Sequence, residues 1–211
     1  MDYKDIISNV NVYGLSESIV ASGYPMLVNP YSSDEFTILT ANTAKVTENL
    51  SDNHNTSRAL KLANTNIGEG HDNYLNGVIV QFDLKYTVKA WTESERYHFL
   101  DFVSSMSSMH RLTKMDYDKV FCSYVTENTK NEMKRLLAEY NNNPCEETKL
   151  TLLYNCPVGL QLTARMTTNY RQLKTIYKQR KNHPLPEWRA FCKWIETLPL
   201  SELIIRNTNN K

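Results

Sequence analysis

Residues 77–86, GVIVQFDLKY, carry β-branched and aromatic side chains over most of their length. Such a run fits a half-buried pleated surface, and it predicts a strand whose sheet the rest of the chain must cover. The segments after it read mostly as helices. Residues 88–111 predict one long helix, and residues 127–141 an amphipathic one ended by Asn141-Asn-Asn-Pro144. Residues 148–154 read as helical or extended. Residues 165–181 predict a third helix, interrupted by Pro184 and Pro186, and residues 187–198 a fourth. Before the strand the chain is looser. Gly14, Gly23, Pro25 and Pro30 punctuate residues 1–37, with short strands expected at 19–21 and 26–28. A short helix is expected at 57–64, inside an Asn- and Gly-rich stretch. With no internal repeat and no extended low-complexity linker, residues 1–211 read as one mixed α/β (α+β) domain with a frayed tail at 207–211.

The 24 Lys+Arg nearly cancel the 23 Asp+Glu, which excludes a general nucleic-acid-coating protein. The total hides an asymmetry. Residues 1–76 hold nine acids against four bases, and residues 165–194 hold eight bases against one acid, Glu187. A basic end on a neutral chain points to a local anionic ligand or an acidic partner surface. No run of 18 apolar residues offers a membrane span, and MDYKDIISNV has no basic start leading into an apolar stretch. Neither a membrane nor a secretory route is expected. Cys122, Cys145, Cys156 and Cys192 form no CxxC pair and have no metal-ligand spacing with a histidine cluster. They read as reduced thiols of a cytoplasmic protein that holds no metal, and the sequons at Asn49 and Asn55 then carry no meaning.

Wound as a helix, residues 88–111 place Trp91, Phe99, Phe102, Met106 and Met109 on one side, the expected core face. Glu93, Arg96, Ser104, Ser107 and Arg111 gather on another. That stripe is either a grip for a phosphate, made of forked and short donors, or a solvated face with an Arg–Glu pair. In the 165–181 helix, Arg171, Lys174, Lys178 and Lys181 share a face expected to be solvated, and Arg165, Asn169, Leu173, Ile176 and Arg180 share the opposite one. Arg180 is therefore expected among buried residues, where its charge needs either a carboxylate of the fold or an anionic ligand. The turn Gly68-Glu-Gly-His71-Asp-Asn73 lacks the spacing of a dinucleotide or Walker loop, and a lone His71 reads as structural.

In order along the chain, these pieces resemble flavin-dependent thymidylate synthases. Ala44-Lys-Val-Thr47 is similar to that family's Ala-Arg-Val-Ser segment. Gly70-His71-Asp72-Asn73 and the strand Val78-Ile-Val-Gln-Phe82 resemble its Gly-His-Glu-Thr turn and following strand. Arg96-Tyr-His98 falls where the family has Arg-His-Arg. Asn169-Tyr-Arg171-Gln-Leu173, Arg180 and Glu187-Trp188-Arg189 resemble its Asn-x-Arg-x-Leu…Leu-Arg…Gln-Trp-Glu run.

The resemblance implies methylation, or hydroxymethylation, of a pyrimidine nucleotide such as dUMP. Hydride would come from reduced FAD and one carbon from methylenetetrahydrofolate, with NADPH as the reductant. By position Arg180 would be the catalytic residue, stabilising charge on the pyrimidine. Arg96, His98, Asn169 and Arg171 would face FAD, with Thr47, His71 and Asn73 near it and Thr175 and His183 in the same set. Glu93, Ser107, Ser108, Arg111 and Arg165 would bind the nucleotide. The family also implies a homotetramer with sites formed between subunits.

The chain departs from the pattern inside the site. It reads Arg96-Tyr-His98-Phe-Leu-Asp101 where the family has Arg-His-Arg-x-x-Ser, and three extra residues separate Arg96 from Arg111. Glu93 replaces a glutamine at the nucleotide, and a carboxylate beside a phosphate is repulsive. Thr163 stands where the family has a nucleotide-binding arginine, with Arg165 two residues on. These changes favour a second reading, a catalytically altered nucleotide- or protein-binding protein on the same scaffold. The compact, Asn-rich sequence style would suit a bacteriophage accessory or anti-host-defence protein. A third reading, nucleic-acid binding through the basic face from Arg171 to Lys181, has the near-zero total charge against it.

Overall fold

The computed structural model describes residues 1–27, 54–65 and 69–205. Strands β1 (Ile7–Tyr13), β2 (Ile79–Thr87), β3 (Leu100–Ser105) and β4 (Gln161–Asn169) form an antiparallel sheet in the order β1-β2-β4-β3. β2 is the strand foreseen at 77–86. Its Val80, Phe82, Leu84 and Tyr86 are fully buried on one face, and the residues between them are half-buried on the other. β4 pairs along the whole of β2, from Ile79 opposite Asn169 to Thr87 opposite Gln161.

Helix α1 (Leu15–Ala21) follows β1 through Gly14, whose φ is +69°. A Cβ there would lie 2.5 Å from the Gly77 carbonyl oxygen, so only glycine allows the turn to pass this close. Helix α2 (His54–Ala63) precedes the sheet's second strand, and α3 (Val88–Ser94) continues directly from it, capped by the Thr87 hydroxyl. After β3 come α4 (Ser108–Arg111), α5 (Glu127–Asn142) and α6 (Glu146–Tyr154). Helix α7 (Tyr170–Arg180) leaves β4 with Asn169 as its cap, and α8 (Pro186–Ile195) starts on a proline, whose fixed φ suits the first helical turn. Trp188 and Trp194 of α8 lie against β2, with ring centroids 4.5 Å apart for Phe82–Trp194 and 5.4 Å for Tyr86–Trp188. Burying a large apolar side chain of this kind contributes about 1.5–3 kcal/mol. Leu112, Tyr117, Phe121, Met133, Leu136, Leu152 and Leu160 form a second buried cluster around α5 and α6. The architecture is a mixed α/β single domain.

Several expectations need correction. The long helix at 88–111 is three elements: α3 ends at Ser94, β3 pairs with β4, and α4 is one short turn. Phe99 has φ +60°, a left-handed conformation that no α-helix can contain. The apolar spacing that mimicked a helix loses to the ladder with β4. Phe99, Phe102, Met106 and Met109 are consequently exposed rather than core, although Phe102 rests on Trp91 with centroids 4.9 Å apart. The 165–181 helix likewise begins only at Tyr170, so Arg165 and Asn169 belong to β4 and do not share a helical face with Arg180. Lys174, expected in solvent, is 8% exposed. Residues 19–21 are helical, and Met26 lies in a 3₁₀ turn, because the proline and glycine of Gly23-Tyr-Pro25 tighten the chain there. The tail at 207–211, Val28 and the Ala44–Thr47 segment lie outside the described residues. None of the four cysteines is paired, and Asn55 is buried, so its sequon is inaccessible. No helix among the described residues is long and apolar enough to cross a membrane.

Candidate functional site

Helix α7 carries two clusters of charged residues. At its C-terminal end Arg180 is 5% exposed, as the sequence led us to expect, and its partner is a carboxylate of the fold. Nη1 lies 3.6 Å from Glu93 Oε2, and Nη2 donates to the Glu93 carbonyl at 3.4 Å. Nε donates to the Tyr97 hydroxyl at 2.6 Å, and that hydroxyl donates to Gln179 Oε1 at 2.9 Å. The guanidinium also stands 4.9 Å from the Trp188 ring and 5.3 Å from the Tyr97 ring, where the aromatic faces attract a cation. Burial pushes the Tyr97 phenol above its ordinary value, against the opposing pull of Arg180.

Glu93 is the hub of this cluster. It pairs with Lys89 at 3.0 Å and Arg96 at 3.5 Å as well as with Arg180. The Lys89 hydrogen bond, then the nearby cations, hold its carboxyl below the usual range. The Arg–Glu pair that the sequence offered as a solvated alternative is thus formed. His183 lies in the turn beyond α7, where its Nδ1 accepts from the Leu185 amide at 3.2 Å. Burial and then Arg180 push its pKa down.

The second cluster lies near the start of α7. Asp72 takes Lys174 at 2.8 Å and Arg171 at 3.4 Å, and Lys174 donates again to the Ala63 carbonyl at 2.6 Å. The cluster joins α2, the turn before β2 and α7. His71 and Asn73, beside Asp72, are exposed. Gly70 has φ +78°, and among the described residues a Cβ there would meet only the Asn73 amide at 3.6 Å.

The structure therefore brings together Arg180, Glu93, Arg96 and His183, and separately Arg171 with the turn holding His71 and Asn73. The other candidates stand apart. Asn169 caps α7, its Oδ1 accepting from the Gln172 amide at 2.8 Å. Thr175 is exposed and donates to the Arg171 carbonyl. His98 is exposed in the turn before β3. Arg165 is held on the sheet by Asp83 at 3.2 Å and the Asn9 carbonyl at 2.6 Å. Ser107 caps α4, and Ser108 and Arg111 lie in it, beyond β3. Thr47 lies outside the described residues. Sequence reasoning gave no site role to Tyr97, Trp188, Asp72, Gln179 or Lys174. The signal for Asp72 was present, since an acid in a polar turn is a natural partner for a basic helix, but the two lie 102 residues apart and nothing in spacing fixes that pairing.

No family model matches the sequence, and no curated protein matches it significantly. Solved structures do. The chain is similar to the flavin-dependent thymidylate synthase ThyX from Helicobacter pylori complexed with FAD and dUMP, with a TM-score of 0.60, 14% identity, and 91% of this chain and 94% of that one covered. A second structure of thymidylate synthase X from the same organism, with FAD and dUMP, gives a TM-score of 0.64, 16% identity, and 92% and 95% coverage. The likeness establishes a ThyX-like fold over nearly the whole chain.

Proposed function

We propose that this chain is a flavin-dependent thymidylate synthase-like enzyme that acts on a pyrimidine nucleotide such as dUMP. The observation that carries the reading is Arg180, a buried cation on an aromatic platform, on a scaffold shared with enzymes solved with FAD and dUMP. Arg180 would donate to a pyrimidine carbonyl and stabilise charge developing there. Tyr97 and Trp188 would fix the guanidinium before substrate arrives, which removes a reorganisation cost.

The donor set suits a pyrophosphate-bearing cofactor. Arg96 and Arg171 keep forked donors at the surface, 64% and 40% exposed, and each is only partly engaged by a carboxylate. Arg96, His98, Arg171 and Asn169 would hold FAD, with Thr47, His71, Asn73, Thr175 and His183 around it. Bound FAD would supply hydride, drawn from NADPH, and methylenetetrahydrofolate the carbon. Glu93, Ser107, Ser108, Arg111 and Arg165 would face the nucleotide.

Arg171 and Arg180 are nine residues apart, so they point in roughly opposite directions and lie about 13 Å apart along α7. The two clusters therefore face different sides of α7. A homotetramer with sites shared between subunits would let the two sides belong to different sites, and it would cover the exposed Phe99, Phe102, Val103, Met106 and Met109. A cytoplasmic setting suits the unpaired cysteines.

The Glu93–Arg180 ion pair favours the second reading, a nucleotide- or protein-binding protein without turnover, because the charge meant for substrate is already met. An absorption spectrum of the purified protein and a titration with FAD test the first reading. A visible flavin band and dUMP-dependent turnover are expected. Colourless protein that takes up no FAD would leave the binding reading. Light scattering checks the tetramer.

A further inference from the structure

The groove where the end of α7 meets α8 is lined by Tyr177, Lys181, Asn182, Arg189, Lys193 and Glu196, and encloses about 440 Å³. Three side-chain cations line it against a single carboxylate, and Met1 lines it as well. That carboxylate is already engaged, since the Tyr177 hydroxyl donates to Glu196 at 2.9 Å. Among the described residues no acid pairs with Lys181, Arg189 or Lys193.

The cations are partly set in place. Arg189 Nη1 donates to the carbonyls of His183 and Pro184 at 2.7 and 2.6 Å, which anchors the side chain to the turn and leaves Nε and Nη2 without a partner among the described residues. The Lys181 ammonium stands 5.9 Å from the Tyr177 ring. Helix electrostatics explain only part of this. A cation just past the C-terminal end of α7 suits the helix dipole, so Lys181 could serve the helix alone. Arg189 sits near the positive N-terminal end of α8, where the dipole opposes it, and Lys193 is one turn further on the same face, a repulsive i,i+4 pair. A bound anion would relieve both oppositions.

We propose that this groove binds a small oligophosphate anion, two or more linked phosphoryl groups such as the phosphate chain of a nucleoside di- or triphosphate. Lysines supply point charges and the arginine a fork, the donor mixture that phosphate clusters use. The volume is that of a small-ligand site, not a track for a polymer. Binding is the whole of the role: Cys192 under the groove is buried, and burial pushes its thiol up to about 12, so no nucleophile is offered. Arg180 does not line the groove, and the proposal does not depend on the flavin reading.

Calorimetric titration of the full chain with inorganic tripolyphosphate at fixed ionic strength tests the proposal. Saturable binding at a site that needs Lys181 and Lys193 is expected. The double variant Lys181→Gln with Lys193→Gln should weaken it at least tenfold, and Arg180→Lys should leave it as in the wild type. Both lysines are exposed, and circular dichroism verifies that the double variant folds. The proposal fails if binding is not saturable, if the double variant binds as tightly as the wild type, or if Arg180→Lys abolishes binding. It also fails if a single-stranded oligonucleotide displaces tripolyphosphate at lower concentration per phosphate.

Discussion

The two ends of α7 both neutralise a buried cation, but they do so in different ways. Lys174 is spent on a backbone carbonyl and on Asp72, and those bonds tie together three segments far apart in sequence. Arg180 lies on aromatic rings and shares Glu93 with two surface cations, so its carboxylate partner retains access to water and to other partners. The first arrangement holds the fold. The second holds a charge that a ligand could take over.

The sharpest way to break this contrast is Arg180→Ala. On the proposed function, turnover should fall by about 10²–10³-fold while the protein stays folded by circular dichroism. Unchanged turnover would remove Arg180 from the chemistry. Lys174→Ala should act on stability instead, costing about 2–4 kcal/mol in denaturant unfolding, because it strands the Ala63 carbonyl and half of the Asp72 pairing. A loss within the range of surface substitutions would make the two ends equivalent.

Glu93→Gln should release Arg180 and tighten dUMP binding about tenfold, measured by calorimetry. Weaker binding in that variant would mean that Glu93 contacts the ligand productively. The same variant has a pH signature. The Glu93 carboxyl is held below its ordinary value, so its contribution to stability is complete above that ordinary value and disappears as pH falls through the lowered one. Acid unfolding of Glu93→Gln should therefore be less steep than that of the wild type. The smallest effect is expected from Tyr97→Phe, about 0.5–1.5 kcal/mol, since Arg180 keeps Glu93 and both rings.

What was legible in the sequence was local. β2, α5 and α8 announce themselves through side chains that each segment carries, and the burial of Arg180 follows from its neighbours Leu173 and Ile176. β3 and the strand part of 161–169 were misread because Phe99, Phe102, Met106 and Met109 satisfy a helical spacing, and Met166, Thr167 and Thr168 continue without a break into a helix. Only pairing partners elsewhere in the chain decide those cases. The same holds for Lys174: helical geometry groups it with Arg171 and Lys178, but its acceptors are 111 and 102 residues away. Residue types suited to a nucleotide site were visible, while the ion pair that occupies Arg180 joins residues 87 apart, which no local pattern fixes.

The strand order has a consequence for synthesis. β4 lies between β2 and β3, so both earlier strands leave the ribosome before their shared neighbour exists. After Ser105 the ribosome must add 55 more residues before Gln161, about 3–11 s at 5–20 residues per second. In that interval Phe102 and Val103 have no ladder partner, whereas the contacts between α5 and α6 need no residue beyond Tyr154. A released chain that ends at Leu160 should therefore resist protease across 127–154 and be cut across 100–105. The last strand of the sheet to be made is the one that closes it from both sides.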